Sequence, residues 1–329
     1  MKNKKLLFSL LVILFSSTGC KGETNNEKSE QEKPNSVTVL SNRLPIADPY
    51  ILLHDNVYYS YGTAVGNGFD VYSSNDLEHW VRASSLSLSH TNSYGEKFFW
   101  APEVYYVEKE KKFYMFYSAE EHICVATSDS PLGPFIQDEK KPIREEKSID
   151  TSVFFDDNGK AYLYFVRFND GNVIWCAELK DNLKEIKEET LTECFRAEEP
   201  WELILPKVVE GPSIFKQDGV YYMLYSANGY TSQDYAVGFA TSDSPYGPWV
   251  KYEGNPVLHK YAELEGVGHG APFYDKDGKM HYIFHAHNSS TEVQPRTSFI
   301  VDMSINDGII SLGNNLIRPM VVDKLPDNK

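Results

Sequence analysis

The chain has 329 residues, enough for one large domain or two small ones. Aromatic residues make up 14%, with 22 Tyr and 18 Phe, a composition that favours strands over helices and supplies flat ring faces for binding. The formal net charge of -15 argues against a nucleic-acid partner and against adhesion of the protein itself to an anionic membrane surface.

The first 20 residues stand apart from the rest. Lys2, Lys4 and Lys5 give a basic start, and Leu6 to Phe15 is a largely apolar core of 10 residues, too short to span a bilayer as a mature helix. Ser16-Ser17-Thr18-Gly19-Cys20 follows. This pattern resembles a bacterial lipoprotein signal, which implies cleavage before Cys20 and lipidation of that cysteine. An ordinary secretory peptide cut nearby is the alternative. Residues 21–36 are polar and charged without apolar periodicity and read as a flexible tether. The expectation is an exported protein on the periplasmic or cell-surface side, touching the membrane only through a lipid on Cys20.

From residue 37 to 323 one unit recurs. Its openings are Asp48-Pro49-Tyr50-Ile51, Trp100-Ala101-Pro102-Glu103-Val104, Asp150-Thr151-Ser152-Val153, Glu210-Gly211-Pro212-Ser213-Ile214 and His269-Gly270-Ala271-Pro272-Phe273. The intervals are 52, 50, 60 and 59 residues. Each opening leads through a short apolar stretch and a polar turn, Asp-Gly or Asn-Gly in three units, into a Tyr/Phe-rich strand such as Phe113 to Tyr117 or Val220 to Tyr225. Those second strands are apolar on both faces, as strands buried between neighbouring sheets are. A third strand also recurs: Ala126 to Phe135 is nearly repeated by Ala240 to Trp249, and Val71 to Trp80 is a looser copy. Only Asp181 to Leu191 looks helix-prone. The pattern predicts an all-β protein, a five-bladed β-propeller with four-stranded antiparallel blades. Ser36 to Leu40 could add a strand to the last blade, or Gly308 to Leu312 could complete it.

Inner strands of a propeller start at one mouth of the central channel. The predicted ring there is Asp48, Trp100, Asp150, Glu210 and His269, read as five equivalent positions. Acidic residues are 47 of 329, so three carboxylates among five matched positions exceed chance. A turn-capping carboxylate explains any one of them, but hardly all three. Carboxylates beside Ile46-Ala47, Ile149 and Val208-Val209 carry a desolvation cost unless paired or functional, and convergent carboxylates are what glycosidic bond hydrolysis requires.

With these motifs in order (Ala47-Asp48-Pro49, Trp100-Ala101-Pro102-Glu103-Val104, Ile149-Asp150, Glu210-Gly211-Pro212 and Gly268-His269-Gly270), the chain resembles glycoside hydrolase family 43 from about Pro45 to Met303. The resemblance implies Asp48 as general base, Glu210 as general acid and Asp150 as the group that tunes the acid and orients the sugar. It implies single displacement with inversion. Trp100, with Phe99 beside it, is expected to wall the sugar. Arg296 is expected to donate hydrogen bonds to it, and His269 to lie on the channel axis, near a bound calcium in some relatives. No cofactor is required for the chemistry. His285 and His287 read as structural or supporting residues. Cys124, Cys176 and Cys194 read as packing residues with room for one disulfide.

The substrate reading is a plant polysaccharide or its fragments, first as an exo-acting α-L-arabinofuranosidase. β-D-Xylosidase is close behind, and a galactofuranosidase or endo-arabinanase is open. A fructosidase on the same propeller would need an Asn-Asp-Pro-Asn type opening, whereas this chain has Ala47-Asp48-Pro49-Tyr50. A non-catalytic glycan-binding propeller would keep Trp100 without needing Asp48 and Glu210 together.

Overall fold

The computed structural model describes residues 37–326 apart from Val65 and Pro206. The expected signal, the lipidated Cys20 and the tether lie outside the described residues. Five antiparallel sheets form a β-propeller. The inner strands are Ala47–His54, Trp100–Val107, Ser148–Phe155, Val209–Gln217 and Gly268–Tyr274. Each pairs with the Tyr/Phe-rich strand that follows: Val57–Thr63, Lys112–Ala119, Ala161–Phe168, Val220–Ala227 and Met280–Ala286. These second strands are almost wholly buried, because the faces of consecutive blades close on them from both sides. The described residues hold five apolar clusters, one between each pair of neighbouring blades. The second blade is the thinnest: its fourth position is reduced to a bridge between Thr127 and Ile136.

Of the two closures expected for the last blade, the second is the one observed. Ile309–Ile317 completes the fifth blade, but Val39–Ser41 does not join it. Val39–Ser41 pairs with Met320–Val322, which lies parallel to His79–Arg82 at the outer edge of the first blade. The C-terminus therefore closes the ring inside the first sheet, where Val321 and Val322 are buried. A bridge between Leu44 and Ser298 ties the first blade's approach to the fifth. The helix expected at Asp181 to Leu191 is absent: a bridge between Leu179 and Ile186 and one 3-10 turn, Glu188–Thr190, occupy that stretch. Burial of Leu183 and Ile186 against the second-to-third blade cluster outweighs the local helix propensity.

The feature that builds the site is a β-bulge at the start of every inner strand. The pairing register skips at Ala47/Tyr50, Trp100/Glu103, Ile149/Ser152, Glu210/Ser213 and Gly268/Ala271. The first bulged residue is left-handed in each case: Asp48 (φ 49°), Ala101 (45°), Asp150 (57°), Gly211 (57°) and His269 (40°). Bulges re-aim side chains, and non-glycine residues in this conformation carry a strain of order 1–3 kcal/mol. The equivalent positions are thus Asp48, Ala101, Asp150, Gly211 and His269. Trp100 and Glu210 stand one residue earlier, in regular strand backbone, which corrects the expected ring. A one-residue offset on a strand turns a side chain to the other face, so Glu210 enters the site from a different direction than Asp48 and Asp150.

A chain ending at Pro319 should lose about 3–6 kcal/mol from the burial of Val321 and Val322 and should melt on the order of 10 °C lower. Thermal unfolding followed by near-UV circular dichroism measures this; an unchanged melting temperature would place the closure elsewhere.

Candidate active site

The bulged N–H groups are buried and need acceptors. Four of them find one on the second strand of the preceding blade. Ala101 N–H donates to Thr63 Oγ1 (2.9 Å), Asp150 N–H to Ser118 Oγ (3.0 Å), His269 N–H to Ser226 Oγ (2.8 Å) and Asp48 N–H to His285 Nδ1 (3.1 Å). In the third blade the matching position, opposite Ile149, is Val166, which has nothing to offer. Gly211 N–H donates instead to Asp150 Oδ2 at 3.2 Å. One carboxylate oxygen of Asp150 is therefore tied to the strand that carries Glu210.

Gly211 is fixed by space as well as by its positive φ. A Cβ there would stand 2.9 Å from the His269 ring. The glycine of the Glu-Gly-Pro motif lets the fourth and fifth blades approach at the axis.

A cavity of about 270 Å³ opens at this mouth. Its walls include Asp48, Trp100, Asp150, Glu210, His269 and Arg296. Six of the sequence-predicted site residues thus converge. Phe99 does not. It precedes the strand and is turned into the core, 1% exposed, between Phe69 and Tyr117. Phe98, left-handed at φ 59°, stacks on Trp100 instead at 5.2 Å and is exposed. The ring packed on Trp100 is Phe98, not Phe99.

The three carboxylates have different surroundings. Asp48 is buried, which by itself raises its pKa. The Arg296 guanidinium, His269 and His285 outweigh that and hold it well below the usual carboxylate range. Arg296 Nη1 lies 2.8 Å from Asp48 Oδ1, and His269 Nδ1 lies 3.4 Å from it. Arg296 also sits 4.6 Å over the Tyr230 ring. Its Nε is buried without a hydrogen-bond partner. Burial lowers the pKa of both His269 and His285, the latter to about 3, so both are neutral at neutral pH.

Glu210 has no cation at hydrogen-bond distance among the described residues. Tyr235 Oη donates to its Oε1 (2.8 Å) and Asn172 Nδ2 to its Oε2 (2.9 Å). Burial pushes its pKa up, and these two bonds only partly offset it, leaving it at about 7. Asp150 is pushed well above its ordinary value by burial, by Glu210 and by Asp48. Asp150 and Glu210 together resist holding two negative charges and titrate as a pair. The site thus holds one firmly ionised carboxylate and, across the same cavity, a pair, Asp150 and Glu210, that keeps a proton near neutral pH.

Sequence reasoning missed Asn172, Tyr230 and Tyr235, which sit where the second strand turns into the third within the third and fourth blades and carry no repeat signature. It placed His285 correctly as a supporting residue. The thiols of Cys124, Cys176 and Cys194 are free. Among the described residues no group of three or more His, Cys, Asp or Glu side chains is placed to hold a metal ion. His269 Nδ1 faces Asp48 and Asp150.

A propeller with an ionised and a protonated carboxyl across one axial cavity has the equipment of a glycosidase. The family model for glycosyl hydrolases family 43 matches residues 39–310. A crystal structure of an endo-1,4-beta-xylanase from Bacteroides thetaiotaomicron is 58% identical, with a TM-score of 0.84 over 86% of this chain and 99% of that one. A beta-xylosidase from Xylanibacter ruminicola is 34% identical over 199 residues, 49% of this chain and 60% of its own length. A xylosidase/arabinosidase 43A from Humicola insolens is 32% identical over 248 residues, 55% of this chain and 73% of its own. The chain belongs to glycoside hydrolase family 43 and is a glycoside hydrolase.

Gly211→Ala should displace the His269 ring and break the Asp150 contact. A loss of about 1–3 kcal/mol in stability is expected, with kcat falling by about 10²-fold because the carboxylates shift. Ala101→Gly, which changes the matched residue without adding bulk, should leave kcat within a few-fold of the parent. Equal activity of Gly211→Ala and the parent would show that the close approach at the axis is dispensable.

Proposed function

We propose that the enzyme is an inverting, exo-acting glycosidase that removes terminal pentosyl units from xylan-type polysaccharide or its oligosaccharides. The observation that carries this reading is the split between Asp48, held ionised by Arg296, and Glu210, held protonated by burial, across one cavity. Asp48 is the general base: it takes a proton from a water that attacks the anomeric carbon. Glu210 is the general acid: it gives its proton to the departing glycosidic oxygen. Asp150, fixed by Gly211 N–H, is itself pushed up by burial and by Glu210, and it lines the same cavity, where it would orient the sugar. Trp100 stacked on Phe98, and Tyr230 under Arg296, form the ring-binding walls.

β-D-Xylosyl release has the stronger support, from the relative named as a beta-xylosidase, and the neighbour named as an endo-1,4-beta-xylanase supports xylan as the substrate. α-L-Arabinofuranosyl release is the second reading, supported by the relative named as a xylosidase/arabinosidase. The lipoprotein-type start up to Cys20 supports an exported enzyme anchored by lipid.

The test is hydrolysis of 4-nitrophenyl β-D-xyloside, α-L-arabinofuranoside and β-D-galactofuranoside by residues 21–329, beside Asp48→Asn. Turnover of a pentoside is expected, lost in the mutant by at least 10²-fold. Its first product should carry the inverted anomeric configuration by proton NMR. A retained product, or full activity in Asp48→Asn, would overturn the base assignment.

The pH profile carries a sign. Glu210 acts in its protonated form and has a pKa of about 7, so kcat/KM should fall as pH rises through that value. Asp48 acts ionised and is held well below its ordinary value, so it should stay competent through the mildly acidic range. Glu210→Gln should abolish cleavage of xylo-oligosaccharides and spare aryl glycosides, whose leaving groups need no acid. Equal loss on both would count against the acid.

A further inference from the structure

Among the groups the reaction scheme leaves unused, Tyr235 is the most tightly placed. Its side chain is fully buried, and its hydroxyl donates to Glu210 Oε1 at 2.8 Å. The ring stacks on His285 at 5.7 Å and 15°, and His285 Nδ1 accepts the N–H of Asp48. The ring fits only because residue 268 is glycine: a Cβ there would lie 2.4 Å from Tyr235 Cε1. Asn172 approaches Glu210 from the other side. Its Nδ2 donates to Oε2 at 2.9 Å, and it lines the cavity. Its backbone N–H donates to Lys207 O (3.0 Å), and it bridges Val208, two residues before Glu210. The segment leading into Glu210 thus carries the hairpin that bears its partner.

We infer that Tyr235 and Asn172 are positioning residues that place the transferable proton of Glu210 on Oε2 and receive the carboxylate left when it departs. The inference rests on Glu210 being the acid. A protonated carboxyl has one hydroxyl oxygen and one purely accepting oxygen. A phenol buried among three carboxylates does not ionise, and burial with Glu210, Asp48 and Asp150 holds Tyr235 well above its ordinary range. It is a permanent donor, so Oε1 is the accepting oxygen. The proton belongs to Oε2, on the side of Asn172 and the cavity. As the bond from the anomeric carbon to the glycosidic oxygen breaks, the Oε2–H bond breaks and a new O–H bond forms on the leaving oxygen. The electron pair of Oε2–H stays on Glu210, where two donors already point at the new charge. The attacking water gives its proton to Asp48, and exchange with solvent restores both groups. The amide and phenol need not move, which is the condition for efficient electrostatic assistance.

Tyr235→Phe keeps the ring stack and removes only the donor. Losing a hydrogen bond to the ionised form raises the pKa of Glu210, so the basic limb of kcat/KM should move up by about one pH unit. Turnover of xylobiose should fall about ten-fold or more, while 4-nitrophenyl β-D-xyloside loses less than about three-fold, since its leaving group needs little proton transfer. Asn172→Ala, at the cavity wall rather than in the core, should shift the limb in the same direction. Added to Glu210→Gln, Tyr235→Phe should cause no further loss on xylobiose. Unshifted basic limbs in both single variants, or equal losses on both substrates, would overturn the inference and leave Tyr235 a packing residue. A wild-type enzyme inert on both substrates would overturn the β-D-xylosyl reading, an outcome distinct from a failed shift in the variants.

Discussion

The structure depends on one recurring device, a left-handed bulge at the start of each inner strand whose freed N–H is bonded by a neighbouring blade. A bulge left alone would strand a buried donor at a cost of order 1–3 kcal/mol. The acceptors Thr63, Ser118, Ser226 and His285 meet four of the five, each from the blade before. The same bonds orient the bulged residue, so the device that joins the blades also aims Asp48, Asp150 and His269 at the axis. Where the pattern lacks an acceptor, at Val166, the carboxylate of Asp150 fills the gap. A structural vacancy in the third blade thereby couples that carboxylate to the strand of the acid.

The electrostatics follow from this placement. Three carboxylates are brought to one cavity, and burial raises all three pKa values before any partner acts. The outcome is decided by partners. Arg296 reaches Asp48 and no hydrogen bond joins it to Glu210 among the described residues, so a single guanidinium separates the proton acceptor from the proton donor. Glu210 receives only neutral donors, Tyr235 and Asn172, which orient it without fully stabilising its charge. Strain in the backbone at Asp48, Asp150 and His269 is tolerated because the interblade clusters hold the blades from both sides.

Much of this was legible in the chain. The repeat intervals and the aromatic second strands predict the blade count, because a strand buried on both faces must be apolar throughout. The carboxylates stand out because acidic residues beside apolar ones are costly without a purpose. The offset at Trp100 and Glu210 could have been read as well. Aligning Pro49, Pro102 and Pro212, which occupy the second bulge position, puts Asp48 with Ala101 and Gly211. Phe99 was misassigned because it precedes the strand, where the left-handed Phe98 sends the two neighbouring rings to different sides. Ring closure was not legible, since a three-residue strand such as Met320–Val322 carries no period that says which sheet edge will take it.

The sequence by itself determined the architecture and the identity of the acidic residues, because periodicity, turn chemistry and composition are local properties of the chain. Only the tertiary structure decided which carboxylate is held ionised and which is pushed up, and which loop residues contact them. Arg296 meets Asp48 across 248 positions, and Tyr235 meets Glu210 across 25 through a hairpin that no repeat encodes. A pKa depends on what burial removes and what a neighbour restores, and neither is fixed until the blades close on one axis.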